Sequence, residues 1–509
     1  MTLTTQLPRI PVEADPKQLS PGWWLQKLDS ALVAKQPRIA TLNAYADGEA
    51  PLMEVKVADS VKDAFREFQR RSRTTWADLI VDVMLDKIRV AAIRTGANGD
   101  EYGDDQAWAW WQANQLDADS RALHRSVFVT GEAFVIVGQV DPEIDAPVTT
   151  IEDPASIAIA TDPLRRRTLR AALKRFVDEW TGVDHAYLYL RGENGAHATV
   201  YRGAATSDGT WQWIGDQPQT LPFSRVPVVW FPNLLSTNGK RSFGEFEKHI
   251  DLIDRINSDV MQRMVITAMQ AARQRVMHNL PTHDKNNQPI DYDGVFAADP
   301  AAIWNVPKDV DVQELAATEP AGLLQTARDD IKDLSAVTRT PLPALIQDAA
   351  NQTGENARMI EGGQNHKCAD RIASLSEGWE EVALLQFLWA GDLERAKATD
   401  MEILWNPLEV PSMAERFDAA SKAQAAGVNQ SYIQREILGM SPQAIKRALA
   451  NVPDLPPDPA GDARNLSLAE VVQKVYLGVG TMITSEEARA IVNAAGAQLA
   501  IPGPDFTAG

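Results

Sequence analysis

The sequence predicts an α+β fold, and three observations carry that prediction. The stretch Phe243 to Met277 places apolar residues at Phe246, Ile250, Ile253, Ile256, Val260, Met264, Ala268 and Ala271. Those steps of three and four make one helical stripe, unbroken by Pro and by any Gly after Gly244; at 1.5 Å per residue it would span roughly 50 Å. Upstream, the apolar period switches from helical to two at Ala133-Phe-Val-Ile-Val137, and more short strands follow. Downstream, a short β-and-turn segment leads to a second helical stretch, Ala321 to Val337, then a loop and a third, Gly354 to Asp392.

The chain has 509 residues, enough for three or four domains with buried cores. Met1 to Pro21 is polar and Pro-rich and reads as a loose arm without the apolar stretch of a signal peptide. Trp23 to Asp47 reads as a helix plus turn, closed by Asp47-Gly48. Val61 to Thr95 carries one long helical pattern interrupted by Arg70, Arg71 and Arg73, a cluster read as a solvated loop or helix face. Asp100 to Asp105 lacks calcium-loop spacing and reads as an acidic surface turn. Ala107 to Gly131 is helical again, with Asp117 as a candidate cap.

Strands follow at Ala133 to Val137, and Thr149 to Glu152 and Ile157 to Ala160 continue that sheet. Leu169 to Glu179, His185 to Leu190, Thr199 to Tyr201 and Trp211 to Ile214 add to it, separated by turns such as Glu193-Asn-Gly195 and Ser207-Asp-Gly209. Val226 to Pro232 is a short apolar strand, and Ser236 to Ser242 is the loop that launches the long helix. Pro281 to Pro320 is β and turn in character, with Val295-Phe296 and Ile303-Trp304 as apolar centres. The loop Thr338 to Thr353 contains Pro341 and Pro343, and Gly362-Gly363 should bend the third helix. Met401 to Trp405 is a strand. Pro411 to Ala426, Ser431 to Leu438 and Ser441 to Ala450 are short helices, the last begun by Ser441-Pro442. A Pro- and Asp-rich linker, Asn451 to Ala463, leads to a final helix pair, Ser467 to Tyr476 and Ser485 to Gly496. The tail from Ile501 to Gly509 is expected to be disordered.

Chemistry is sparsely signalled. No phosphate-binding glycine loop, no dinucleotide fingerprint, no His-Glu-x-x-His, no Cys-x-x-Cys and no Gly-x-Ser-x-Gly occurs, so no catalytic, cofactor or metal residue is assigned. The one cysteine, Cys368, cannot form an internal disulfide, and His366 two residues before it does not share its helix face. No run of 18 apolar residues exists, so no membrane span is expected. The net charge of −19 argues against a protein that grips DNA through a basic footprint. It suits one that lets DNA slide past an acidic wall, although plain solubility explains it as simply. An enzyme with dispersed residues stays open as an alternative.

The order of parts resembles the portal (head–tail connector) proteins of tailed bacteriophages, most closely the branch common in phages of actinobacteria. Leu42-Asn-Ala-Tyr45-Ala-Asp-Gly48 with Pro51-Leu52 is similar to the family's early Tyr-x-x-Gly-x-x-x-Leu segment. Ala107-Trp-Ala-Trp-Trp-Gln-Ala-Asn114-Gln-Leu116-Asp117 resembles its Trp-x-x-Asn-x-Leu-Asp motif, and Gly131-Glu-Ala-Phe134 the strand entry after it. Ser242-Phe-Gly-Glu-Phe-Glu247, leading to Asp254-Arg-Ile-Asn257, resembles the start of the stem helix. Trp405-Asn-Pro407 and Lys422 to Gly427 resemble later elements. The chain departs from the pattern at Arg241-Ser-Phe-Gly244, where the family more often has Gly-x-Ser-Glu; here the acidic residue comes at Glu245.

The resemblance implies a portal-type fold with an α/β wing, a long helical stem, a small β-containing clip and a helical C-terminal crown. It divides the chain into an arm (1–22), wing (23–241), first stem helix (242–277), clip (278–320), second stem helix (321–337), tunnel loop (338–353), wing spine and returning strand (354–406), crown region (407–500) and tail (501–509). It implies a ring, usually of twelve copies, at a capsid vertex in the virion, assembled in the host cytoplasm. Double-stranded DNA would pass through its channel, and the terminase large subunit, head-completion adaptor, major capsid and scaffolding proteins would be partners. No cofactor and no membrane are implied. Arg339, Gln347, Asp348, Asn351 and Gln352 become candidate channel residues on the tunnel loop. The alternative to a portal is another ring-forming or scaffold-like virion protein.

Overall fold

The first helix starts where a cap and a proline coincide. The Ser20 hydroxyl accepts from the Trp23 N–H, and Pro21 sits in the first turn, where its missing N–H is not needed. In the computed structural model this helix, α1 (Pro21–Ala46), runs through Pro37 without ending. The structure describes residues 17–450 apart from 53–61, 97–102, 194–195, 206–210, 217, 238, 240, 272–274, 285, 293–309, 315–320, 347–353 and 410–411.

Two helices, α2 (Lys62–Ser72) and α3 (Trp76–Leu85), replace the single pattern expected from Val61 to Thr95, and that pattern ends in a strand, β1 (Val90–Arg94). The partner of β1 is Glu402–Trp405, so local periodicity held no sign of the pairing. α4 (Asp105–Ala113) is capped by Asp104, whose carboxylate accepts from the Gln106 and Ala107 N–H groups. Asp104 is buried against Thr95 and Arg395, so the described end of the expected surface turn is a buried cap. α5 (Leu116–Thr130) is entered through Gln115 in the left-handed region. Asp117 lies inside this helix and is not its cap; it accepts from Trp111 Nε1 and Gln112 Nε2.

Strands β2 (Glu132–Asp141), β3 (Ala146–Glu152), β4 (Ile157–Thr161), β5 (Leu169–Val177), β6 (Asp184–Leu190), β7 (Thr199–Ala205), β8 (Trp211–Trp213), β9 (Gln219–Thr220) and β10 (Val228–Pro232) follow. They form two sheets, not the single one expected. β2 lies between β10 and β3, whereas β4 to β8 make an antiparallel meander with β9 added on β7. The Asp153–Ser156 turn, closed by Ser156 N–H on the Asp153 carbonyl, separates β3 from β4.

The long helix is shorter than its stripe implied. Ser242–Phe243 is a strand, β12, paired with β11 (Leu234–Leu235), and the helix, α6, runs from Ile250 to Ala271. Its 22 residues span about 33 Å. Beyond it Arg275–His278 is a strand, β13, paired with β14 (Asp311–Glu314); cross-strand bonding there replaces the helical continuation to Met277. α7 (Ala321–Thr338) returns alongside α6, as expected. A helical turn, α8 (Leu342–Leu345), precedes α9 (Gly354–Ala390), whose 37 residues run as one helix through Gly362 and Gly363. β15 (Glu402–Trp405), α10 (Met413–Ala425) and α11 (Gln430–Tyr432, continued by a π-helical turn to Ile437) complete the first unit. A second compact unit begins at Gln443; its described part lies in α12 (Pro442–Ala450). The apolar centres Val295-Phe296 and Ile303-Trp304, the linker 451–463, the two final helices and the tail lie outside the described residues.

The main core is gathered by α9. Trp379 stands 4.8 Å from the Trp111 ring and 5.2 Å from Phe231, and its Nε1 donates to His124 Nε2 at 3.0 Å. Burial pushes His124 down to about 3, so this imidazole is neutral. A smaller core sets Leu25, Leu28 and Leu32 of α1 against Ala171, Leu173, Ala186 and Leu188 of the six-stranded sheet. There the buried Arg175 bridges Asp29, at 2.7 Å, and Asp184.

Candidate functional site

The segment joining the two sheets to α6 is where the fold concentrates its buried charge. Gly244 must be glycine, because a Cβ there would collide with the Val129 carbonyl. The close approach puts Glu245 into the core, with its N–H on the Phe128 carbonyl. Its carboxylate is met by Lys367 Nζ at 2.8 Å, Arg371 Nε at 2.5 Å and Asn233 Nδ2 at 2.9 Å. Burial alone would raise its pKa; Lys367 and Arg371 outweigh that and hold it down to about 2. Glu247 does the same on the other side. It receives Arg38 of α1 in a fork at 2.8 and 2.5 Å, Arg241 at 2.8 Å and the Gly244 N–H at 3.0 Å. Burial raises Glu247 and these donors lower it, with a net lowering. One carboxylate therefore fastens the entry of α6 to α9, and the next fastens it to α1.

Lys367 also reaches the far end of the pair. Besides Glu245 it donates to the Thr338 carbonyl at 2.9 Å, at the last residue of α7. α7 ends in a Schellman arrangement: Thr340 N–H bonds the Ser335 carbonyl and Arg339 N–H that of Ala336. The left-handed position, usually glycine, is Arg339, with φ of 54°. A non-glycine residue there costs about 1 kcal/mol. The Thr338 hydroxyl bonds the Leu334 carbonyl and Thr340 Oγ1, and Ser335 Oγ bonds the Thr340 carbonyl, so side chains offset that strain. Arg339 is thereby held exposed at the head of the loop. The loop then turns back through α8 and buries Leu345 in the main core, so its described part is anchored. Gln347, Asp348, Asn351 and Gln352 lie outside the described residues; of the five candidate channel residues only Arg339 is placed.

The apolar stripe of α6 is used in two ways. Phe246, Ile253 and Ile256 are buried in the main core of their own chain, together with Ile331 and Leu334 of α7. Arg255 forks onto Asp330 at 2.8 and 2.7 Å and sets the two helices side by side. Beyond Met261 no described side chain of α6 is buried: Met264, Val265 and Ile266 are half-covered. On α7, Leu323 is half-covered and Leu324 exposed.

Sequence reasoning missed the charged anchors Glu245, Glu247, Lys367, Arg371 and Arg38. The acids just ahead of α6 read as ordinary helix-start acids, which need no buried partner. Cys368 is buried and free, while His366 is exposed, as their positions two apart required. Arg70 and Arg71 pair with Glu67 on the surface of α2, as a solvated helix face should. Among the described residues no group of three or more metal-ligating side chains comes together, and no helix is long and apolar enough to cross a membrane.

Residues 26–444 match the family described as phage portal protein, SPP1 Gp6-like. The chain is similar to the portal protein of Mycobacterium phage D29, 26% identical over 371 residues that cover 70% of this chain and 73% of that one. It is similar to the portal protein of Mycobacterium phage L5 over the same shares at 25% identity. Among solved structures it is similar to the neck of an empty GTA particle computed with C6 symmetry (TM-score 0.38, 12% identity, 80% of this chain and 90% of that one). The neck of the native particle computed with C12 symmetry gives 0.39, 12%, 80% and 99%. The family match spans most of the sequence, and the chain belongs to the SPP1 Gp6-like family of phage portal proteins, structural components of the virion and not enzymes.

Proposed function

We propose that twelve copies of this chain form a ring at one capsid vertex, with α6 and α7 as the stem around a channel for double-stranded DNA. The carrying observation is the apolar surface past Met261: among the described residues Met264, Val265 and Ile266 are only half-covered and Leu324 is exposed. Stems packed side by side in a closed ring cover it through a heterologous interface. The remaining faces suit passing DNA. α6 carries Asp251, Asp254 and Asp259 against Arg255 and Arg263, and α7 carries Asp329, Asp330 and Asp333 against Arg328 and Lys332. Each helix is slightly anionic, so phosphate finds no strong grip.

On this reading the β13–β14 region belongs to the clip that meets the terminase large subunit and then the head-completion adaptor. Residues 338–353 form the tunnel loop, with Arg339 at its anchored root and Gln347, Asp348, Asn351 and Gln352 toward DNA. α9 is the wing spine, and the helices after residue 407 face the capsid interior. Major capsid and scaffolding proteins contact the ring during assembly in the host cytoplasm.

Electron micrographs of the purified chain test the ring; a persistent monomer at high concentration, at every salt concentration, contradicts it. Deleting Gln347 to Gln352 leaves Leu345 in its core and should spare rings while impairing DNA packaging. Wild-type packaging by that deletion would remove the loop assignment.

A further inference from the structure

The six-stranded sheet is polarised in charge from end to end. β5, nine residues and about 30 Å long, connects the two ends. At one end the turn between β4 and β5 presents Arg165, Arg166 and Arg167 in a row, beside Leu164 at 90% exposure. That turn is fixed: Asp162 N–H bonds the Thr168 carbonyl at 2.8 Å, Thr168 N–H bonds that of Arg165 at 2.8 Å, and the Asp162 carboxylate accepts from Leu164 N–H at 2.8 Å. Next to it lies a cavity of about 190 Å³ whose lining includes Arg165, Arg167, Arg191 and Arg225, with Val228 and Trp230 of β10 as floor. Glu377 and Glu381 of α9 line the same cavity, and Arg225 meets Glu381 at 2.6 Å. Two carboxylates against four guanidiniums leave the cavity cationic on a chain of net charge −19. Among the described residues Arg165 and Arg191 draw no ion pair.

At the opposite end, the turn between β5 and β6 reads Asp178-Glu-Trp180-Thr-Gly182. Trp180 is 96% exposed. Its position is set, because the Asp178 carboxylate accepts from the Trp180 and Thr181 N–H groups at 2.9 and 3.3 Å, and Gly182 takes the left-handed φ of 68° that closes the turn. A fully exposed indole carried on a hydrogen-bonded turn, beside a carboxylate, is a poor choice for a solvated turn and a good one for a contact.

We propose that the Trp180 turn of one copy docks into the arginine-lined cavity of the next copy, head to tail around the ring; this rests on the ring reading above. The occupant follows from chemistry. Guanidiniums stack on an indole face, and Glu179 supplies a carboxylate to Arg165 and Arg191, which draw none among the described residues. The apolar floor of Val228 and Trp230 takes the ring edge. Two different patches at opposite ends of one sheet make a heterologous contact, the kind from which closed rings form.

Trp180→Ala and Arg165→Glu/Arg191→Glu should each raise the concentration for half-assembly by about 30-fold, read by sedimentation velocity, with unchanged circular dichroism because Trp180 and Arg165 are exposed and Arg191 is half-buried at the cavity wall. Glu179→Cys/Arg165→Cys should give a ladder of covalent multimers on oxidation, and either single cysteine none. Wild-type rings together with unaffected assembly of both variants and no ladder would overturn this contact and leave the ring standing. A wild-type chain that never forms rings would overturn both. Assembly unchanged in Trp180→Ala, with DNA retention lost in Arg165→Glu/Arg191→Glu particles, would overturn the contact in favour of DNA phosphate in the cavity.

Discussion

Trp379 of α9 and Ile266 of α6 show two ways of using apolar surface. Trp379 is covered by Trp111, Phe231 and His124 of its own chain, and its N–H is satisfied. Ile266, with Met264 and Val265, is only half-covered, although α7 lies alongside. The core around α9 completes itself; the far part of the helix pair does not. On the function proposed above, the far part of this helix pair takes its last apolar contacts from neighbouring copies. The two regions meet at Glu245, Glu247 and Lys367, where one buried and one half-buried set of ion pairs fixes the angle at which the pair leaves the sheets.

The sharpest way to break this division is at that junction. Glu245→Gln leaves Lys367 and Arg371 buried without their counter-charge and should cost about 3–5 kcal/mol in urea or thermal unfolding. Loss of less than about 1 kcal/mol would show that the junction does not hold the wing. The same group sets a pH signature. Glu245 has its pKa lowered in the fold, so its contribution, roughly 3 kcal/mol, is present above the unfolded carboxylate value and is lost as pH falls toward about 2. His124, lowered to about 3 by burial, adds an earlier loss: the unfolded chain takes up its proton below about 6.5 while the folded chain does not. Stability should therefore begin to fall below pH 6.5 and fall more steeply below 4.5. His124→Gln should flatten the first part and Glu245→Gln the second.

Smaller effects sharpen the comparison. Arg339→Gly removes the strain of a left-handed arginine and should stabilise the chain by about 1 kcal/mol, less whatever entropy glycine adds to the unfolded state. A loss of stability would mean that the Arg339 side chain has a structural partner. Met264→Ser/Ile266→Ser should change monomer unfolding by no more than about 1 kcal/mol while abolishing assembly, because these side chains are half in water until a neighbour arrives. A large monomer effect would make them ordinary core residues.

Much of this was legible in the sequence. α7 was expected at Ala321 to Val337 and ends one residue later, because its stripe is continuous and Pro341 follows closely. The strands from Glu132 to Leu190 were readable from their period. What failed depended on distant partners. β1 hid in a helical pattern because its partner is β15, and Phe243 looked helical because nothing local announces its pairing with Leu234. The division of one wing into two sheets is set by pairing choices that alternation does not encode. The buried anchors Glu245 and Lys367 were invisible for the same reason: an acid before a helix and a lysine within one look solvated until the fold brings them to 2.8 Å. The portal-family assignment is untouched by these differences because the family match spans residues 26–444.

The most direct test of an unfinished stem is the mass of the particle the purified chain forms, measured by light scattering on wild type and Met264→Ser/Ile266→Ser in parallel. The account predicts a closed particle of twelve times the 55.9 kDa chain for wild type and 55.9 kDa for the variant. Equal masses for the two chains, whether ring or monomer, would contradict it.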